Sequence, residues 1–272
     1  RDQRRASEPA QRSTGGEPLV RKGIEELIFR IKEIPQIREL ALSTNGVFLK
    51  GKARTLKAAG LDRINISLDT LKRDRFTQIS KINKLQEVLE GIDEAVSCGL
   101  KPVKLNTVLM RGINDDEILD LIDFAIQRSI EIRFIELMPT NGTVDLDPKE
   151  RFFSSEEAKK KIEEKYELIP GEAYFSSPAQ MFQVAGTGAR VGFISPLSNV
   201  FCARCNRLRL KANGMLKTCL HGKEDLDLKA LVRAADASVR EATIDATEAR
   251  QRLGKRSVDR RLVAHVAAQR EY

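Results

Sequence analysis

Between Thr14 and Asn141 apolar residues recur with two different spacings, and the two alternate along the chain. Ile24, Leu27, Ile28 and Ile31 fall at i, i+3, i+4 and i+7, the buried stripe of a helix that Pro35 ends. A strand follows over 37–45, a helix over 50–59 stopped by Gly60, and then Ile64, Ile66 and Leu68 alternate with Asn65, Ser67 and Asp69 in the period of a strand. Leu85, Val88, Leu89, Ile92, Ala95 and Val96 form the next amphipathic helix, closed by Gly99, ahead of a strand over 102–110. Asn114 with Glu117 three residues on reads as a capping box opening a helix that buries Ile118, Leu121, Ile122, Ala125 and Ile126. A strand over 130–138 ends at Pro139. Strands separated by helices of this length join by right-handed crossovers into a parallel sheet, so the fold class is α/β. Polar residues at alternate strand positions, Ser43, Asn45, Asn65, Ser67, Lys104 and Asn106, favour a barrel whose inner face meets a ligand. A doubly wound sheet buried on both faces would place apolar residues there.

After Asn141-Gly142 the pattern changes. A charged helix is expected over 156–165, a Gly-, Ser- and Pro-rich stretch over 170–188, and strands over 191–194 and 206–220. Asn213-Gly214 marks a hairpin that returns Cys219 toward Cys202 and Cys205. The chain from Lys223 onward is rich in Ala, Arg and Glu and reads as helical. The expected divisions are therefore 1–11, a barrel over 12–141, a small α+β unit over 142–222 and a tail over 223–272.

With 41% hydrophobic and 32% charged residues, and no apolar run near the roughly 20 residues a membrane span needs, the chain does not read as a membrane protein. Its formal net charge of +8 points to an acidic partner. Aromatic residues make up only 5% and none is interleaved with the basic ones, which disfavours nucleic acid. Three of the four cysteines cluster as C-x2-C-x13-C at Cys202, Cys205 and Cys219, which is no disulfide framework and suits a reducing compartment. With His221 this is a Cys3His zinc set; without it, three thiolates hold a [4Fe-4S] cluster that leaves one iron open. Cys98, at the end of an amphipathic helix, reads as a small buried hydrophobe, and His221 as a surface residue. Taken alone, Arg207 and Arg209 would be the solvated face of a hairpin, Met138 core packing and Gly15-Gly16 an ordinary loop. Lys104 differs: an ammonium in the middle of the α/β run needs an anion to offset its desolvation.

Six segments occur in order: Arg12 to Pro18 (RSTGGEP), Ser43 to Gly46 (STNG), Asn65 to Asp69 (NISLD), Val103 to Asn106 (VKLN), Arg133 to Pro139 (RFIELMP) and Cys205 to Arg209 (CNRLR). In these the chain resembles the MoaA family, the radical S-adenosylmethionine GTP 3',8-cyclases of molybdenum cofactor biosynthesis, over about residues 12–221. The resemblance implies an incomplete (β/α)6 TIM-like barrel followed by a C-terminal cluster domain. It implies that a reduced [4Fe-4S] cluster cleaves S-adenosylmethionine and that the resulting radical takes hydrogen from C3' of GTP. Attack on C8 then leads to 3',8-cyclo-7,8-dihydro-GTP. By the same resemblance Gly16, Ser67 and Met138 contact S-adenosylmethionine; Arg12, Ser43, Lys104, Arg207, Leu208 and Arg209 contact GTP; and Cys202, Cys205 and Cys219 hold a second cluster whose open iron meets the guanine. Implied partners are GTP and the downstream cyclic pyranopterin monophosphate synthase, a homodimer is compatible, and neither membrane nor nucleic acid is involved. The implied location is bacterial cytoplasm, or an organelle matrix in a eukaryote.

Two departures from the family pattern shape the expectations. Its first cluster uses a C-x3-C-x2-C triplet upstream of the GGEP segment, and none of the fourteen residues before Gly15 is Cys. The chain also ends Gln269-Arg270-Glu271-Tyr272 where the family has a Gly-Gly tail. The expectation is a truncated family member, or failing that a degenerate relative keeping GTP and cluster binding, without S-adenosylmethionine cleavage in the chain as given.

Protein purified without oxygen is expected to carry about four irons per chain on Cys202, Cys205 and Cys219. Metal and sulfide analysis checks this, and stoichiometric zinc without sulfide would assign the site to a zinc module.

Overall fold

The computed structural model describes residues 16–138, 149–171, 178–200, 208–211, 213–217, 225–234 and 263–267. A 3-10 turn at Pro18–Val20 leads into α1 (Ile24–Lys32), β1 (Glu39–Thr44), α2 (Ala53–Ala58), β2 (Arg63–Ser67), α3 (Arg73–Ser80), α4 (Leu85–Ser97) and β3 (Val103–Leu109). Then come α5 (Ile118–Arg128), β4 (Glu131–Glu136), α6 (Ser155–Glu163), β5 (Leu168–Pro170), β6 (Ala179–Val184) and β7 (Arg190–Ile194). Short strands β8 (Arg209–Leu210), β9 (Met215–Lys217) and β10 (Asp225–Asp227), helix α7 (Leu228–Ala234) and strand β11 (Val263–Ala267) follow. Eight strands form one sheet in the order β11-β1-β2-β3-β4-β7-β6-β5. It is parallel from β11 through β7, and β6 and β5 continue it antiparallel.

Each expected strand and helix of the first half is present within a few residues. The helices cover the outer face, where Ile24 and Ile28 of α1, Val88 and Ile92 of α4 and Leu121 and Ile122 of α5 are buried with Leu40, Leu42, Ile64, Ile66, Leu105 and Ile132 of the strands. Close packing has a backbone requirement at Gly91 of α4: a Cβ there would lie 3.0 Å from Leu49 Cβ and 3.1 Å from the Lys50 nitrogen. Cys98 caps α4, is half-buried against this core, and its thiol donates to the Ala95 carbonyl at 3.4 Å.

Four expectations need correction. Asn114 and Glu117 do not cap α5, which has no side-chain cap bond. Both are fully buried and tie separate segments together instead. The Asn114 amide accepts from Met110 N at 2.8 Å and donates to the Asp69 and Val108 carbonyls at 2.8 and 2.9 Å. Glu117 accepts from the Thr70 hydroxyl at 2.7 Å and Leu71 N at 2.9 Å, and pairs with Arg75 at 2.7 Å. A capping box does exist, at Ser154 and Glu157 opening α6, where one Glu157 oxygen serves the cap and the other pairs with Arg111 at 2.7 Å. Second, the sheet runs across the division placed near 142, which is one of sequence character: β4 pairs with β7, so the inner face of the barrel draws on both halves. Third, the stretch over 170–188 contains β6, in which only Gln180 and Gln183 are exposed. Fourth, within the tail from Lys223, expected to be helical, α7 is accompanied by β10 and β11, and β11 lies parallel along β1 with Glu39 opposite Val263 and Ser43 opposite Ala267. Among the described residues no helix is long and apolar enough to cross a membrane.

Asn114→Ala removes three bonds to buried backbone groups, each costing about 1 kcal/mol or more when left unmet. A loss of about 3 kcal/mol in urea unfolding is expected, whereas an Asn114 that merely capped a helix would cost about 1 kcal/mol.

Candidate functional site

Parallel strands carry their C-terminal ends to one side, and there the loops of a barrel build its site. Glu17 fixes the approach to it. Its carboxylate accepts from Asn45 N at 2.8 Å, Leu19 N at 3.1 Å and the Thr44 hydroxyl, holding the exposed Gly16 beside the end of β1. Ser67 is the last residue of β2 and is half-buried; Met138, also half-buried, lies two residues beyond the end of β4. Asn106 is in register with Ser67 on one side and Arg133 on the other. Its Oδ1 is buried with no donor among the described residues.

Below this edge a second rung runs across the inner face: Ser43, Asn65, Lys104, Glu131 and Arg190 are successive partners on β1, β2, β3, β4 and β7. Asn65 donates to the Ser43 hydroxyl at 3.0 Å. Glu131 is only 4% exposed and takes Arg133 at 2.6 Å, Lys104 at 3.2 Å and Arg190 at 4.0 Å. Arg63 lies nearby in an ion pair with Glu39. Lys104, which the sequence presents as an ammonium wanting an anion, therefore already has a carboxylate, because β3 and β4 set it directly opposite Glu131. That one partner does not balance the site. Burial, then the neighbouring Arg133, push the Lys104 ammonium down to about 8 against the pull of Glu131. Burial alone would raise the Glu131 carboxyl, but Arg133 and Lys104 hold it below the ordinary glutamate range. Among the described residues Arg63, Lys104, Arg133 and Arg190 face two carboxylates, Glu39 and Glu131, an excess of positive charge on this face.

Sequence reasoning passed over Glu131 and Arg133, although they alternate with the buried Ile132 and Phe134 in the same period that exposed Lys104 and Asn106. Arg190 carried no such signal, since its place beside Glu131 exists only through the pairing of β4 with β7.

The small three-stranded sheet holds the other described candidates. Gly214, at φ +88°, closes the β8–β9 hairpin, and Lys217 returns opposite Arg209, itself in line with Asp225. The two chain ends that leave the hairpin, toward Cys205 and toward Cys219, thus leave side by side. Arg209 is half-buried. Asp225 is held below the ordinary aspartate range by its hydrogen bond with Lys211, and Lys217 lies 3.9 Å from it. Leu208 packs against Leu216 and Leu228 in a separate small core, so its side chain is committed to packing. Arg12, Arg207, Cys202, Cys205, Cys219 and His221 lie outside the described residues.

Glu136, at the end of β4, is 1% exposed. It accepts from Ser155 N at 3.1 Å, Leu197 N at 3.1 Å, Ser198 N at 3.0 Å and the Ser198 hydroxyl. Burial works against its charge, but the Ser198 hydroxyl and these amides outweigh it and hold the carboxyl below the ordinary range.

A profile of the Radical SAM superfamily matches residues 12–125, and one described as Molybdenum Cofactor Synthesis C matches 130–255. The chain is 48% identical over 222 residues to the GTP 3',8-cyclase of Alkaliphilus metalliredigens, covering 82% of this chain and 68% of that one. The corresponding enzyme of Clostridium acetobutylicum is 42% identical over 228 residues, covering 84% and 70%. The chain belongs to the GTP 3',8-cyclase family. Its barrel is also similar in fold to Streptococcus suis SuiB bound to S-adenosylmethionine, with a TM-score of 0.55, 14% identity, and coverage of 78% of this chain and 50% of that one. The family profiles meet between residues 125 and 130, just ahead of β4, so the strand bearing Glu131, Arg133 and Glu136 falls in the second.

Because Lys104 sits near 8, its positive charge is lost as pH rises through that value. Anion binding should weaken above pH 8, by up to about tenfold per pH unit until the bound-state value is reached. Lys104→Arg should abolish this alkaline weakening, because a guanidinium stays protonated. Titration calorimetry with GTP from pH 7 to 9 reads the effect, and an unchanged profile in the arginine variant would assign it to another group.

Proposed function

We propose that the chain binds GTP with its triphosphate against the cationic inner face of the barrel and serves the GTP 3',8-cyclase reaction of molybdenum cofactor biosynthesis. The observation that carries this reading is the excess of positive charge around Glu131 among the described residues, since half-buried cations in excess call for a polyanionic ligand. Lys104 would meet the phosphates, with Arg12, Arg207 and Arg209 adding guanidinium contacts and the Ser43 hydroxyl contributing from β1. Leu208 would take part through its main chain, its side chain being packed.

Gly16, Ser67 and Met138 would hold S-adenosylmethionine. They fit the group: Ser67 at the end of β2 and Met138 just past β4 supply a small and a soft side chain at the C-terminal edge, Gly16 leaves the backbone open beside the end of β1, and the Asn106 Oδ1 beside Ser67 offers a buried acceptor to a ligand donor. Cys202, Cys205 and Cys219 would hold a [4Fe-4S] cluster, a thiolate set that suits iron and sulfide. That cluster would offer its open iron to the guanine, while the radical that starts the rearrangement would come from S-adenosylmethionine cleaved at the family's first cluster, whose C-x3-C-x2-C triplet this sequence does not contain. The chain's own residues orient the two nucleotides, neutralise the triphosphate and keep water from the reacting sugar. The product would pass to the downstream cyclic pyranopterin monophosphate synthase.

Lys104→Ala and Arg209→Ala are each expected to weaken GTP binding by about tenfold or more, since a charge-assisted hydrogen bond contributes roughly 1.5 to 3 kcal/mol. Guanosine, which has no phosphates, should bind both variants as it binds the unaltered protein. Equal losses for GTP and guanosine would place these side chains in support of the fold and remove the triphosphate site.

A further inference from the structure

We propose that Glu136 is a positioning residue that latches the segment leading to Cys202 onto the mouth of the barrel. Four donors converge on one buried carboxylate from two distant parts of the chain: Ser155 at the start of α6, and Leu197 and Ser198 in the turn after β7. Among the described residues no cation pairs with it, so backbone and hydroxyl donors satisfy it, and they fix direction as well as charge. The turn has little else to hold it. Its apolar side chains do not pack, Leu197 being 44% and Val200 63% exposed, and its one internal backbone bond runs from Asn199 N to the Ser195 carbonyl at 3.1 Å.

Position gives the latch its consequence. Glu136 is two residues from Met138, proposed above to meet S-adenosylmethionine, and Ser198 is four residues from Cys202. A single carboxylate thus sets the chain that enters the thiolate segment relative to the strand end that faces the other nucleotide. A hydrophobic contact could hold the turn close without fixing its orientation. Four hydrogen bonds to two oxygens fix both. The inference rests on the cyclase reading in one respect, that Cys202, Cys205 and Cys219 hold a cluster.

The test is iron release to a chelator from anaerobically loaded protein, together with hydrogen exchange over 195–200. Glu136→Gln keeps the shape but turns an amide toward the donors, so both rates should rise, iron release by about tenfold for the loss of one or more charge-assisted bonds. Ile28→Ala, which opens a cavity under α1 on the β1 side of the sheet, away from β4 and the turn, is the control for general destabilisation. Ser198→Ala removes one donor and serves if Glu136→Gln does not fold; it should lie between the unaltered protein and full release of the turn. Iron loss from the Glu136 and Ser198 variants no faster than from Ile28→Ala at matched melting temperature would overturn the latch. Zinc in place of iron in the unaltered protein would overturn the cluster reading and the latch with it, an outcome distinct from that one.

Discussion

Parallel pairing of β1, β2, β3, β4 and β7 is the constraint on which the remainder depends. Because side chains alternate between faces, one register decides at once which residues the helices bury and which look into the barrel. The outer set is Leu40, Leu42, Ile64, Ile66, Leu105 and Ile132, and its burial supplies the apolar stabilisation. The inner set is Ser43, Asn65, Lys104, Glu131 and Arg190 on one rung, with Ser67, Asn106 and Arg133 on the next. A slip of one residue in any strand would exchange the two sets and end both the core and the site.

Charge on the inner face is arranged by the same ladder. Glu131 reduces the mutual repulsion of Lys104, Arg133 and Arg190 without cancelling it, so the cations are held in place on a face that suits the proposed polyanionic ligand. Glu136, five residues along the same chain, does different work, because among the described residues hydrogen-bond donors and no cations surround it. Two buried glutamates on one strand are thus distinguished by their partners: one moderates a binding field and the other holds a turn.

Much of this was legible in the residues. The 3.6- and 2-residue periods located the strands and helices of the first half, and the polar alternation at Ser43, Asn65, Lys104 and Asn106 identified the inner face before any coordinate was known. Asn114 and Glu117 misled because a capping box and a pair of buried tethers share one pattern; only the neighbours at Asp69, Thr70 and Arg75, more than 30 residues away in sequence, separate them. Leu208 likewise sits among candidate ligands in sequence and among leucines in space.

Local spacing by itself determined the α/β class, the strands and all but one of the helices to Met138, and the need of Lys104 for an anion, since each follows from chemistry within a few residues; the helix it did not give is α3. Tertiary structure decided which anion Lys104 meets first, that β7 joins the barrel beside β4, that Val263–Ala267 forms a strand along β1, and that Glu136 reaches Ser155 and Ser198. A strand forms only where an edge is open to receive it, and a buried carboxylate is defined by whatever donors packing brings to it. Both conditions belong to chain segments far apart in sequence, and no local period records them.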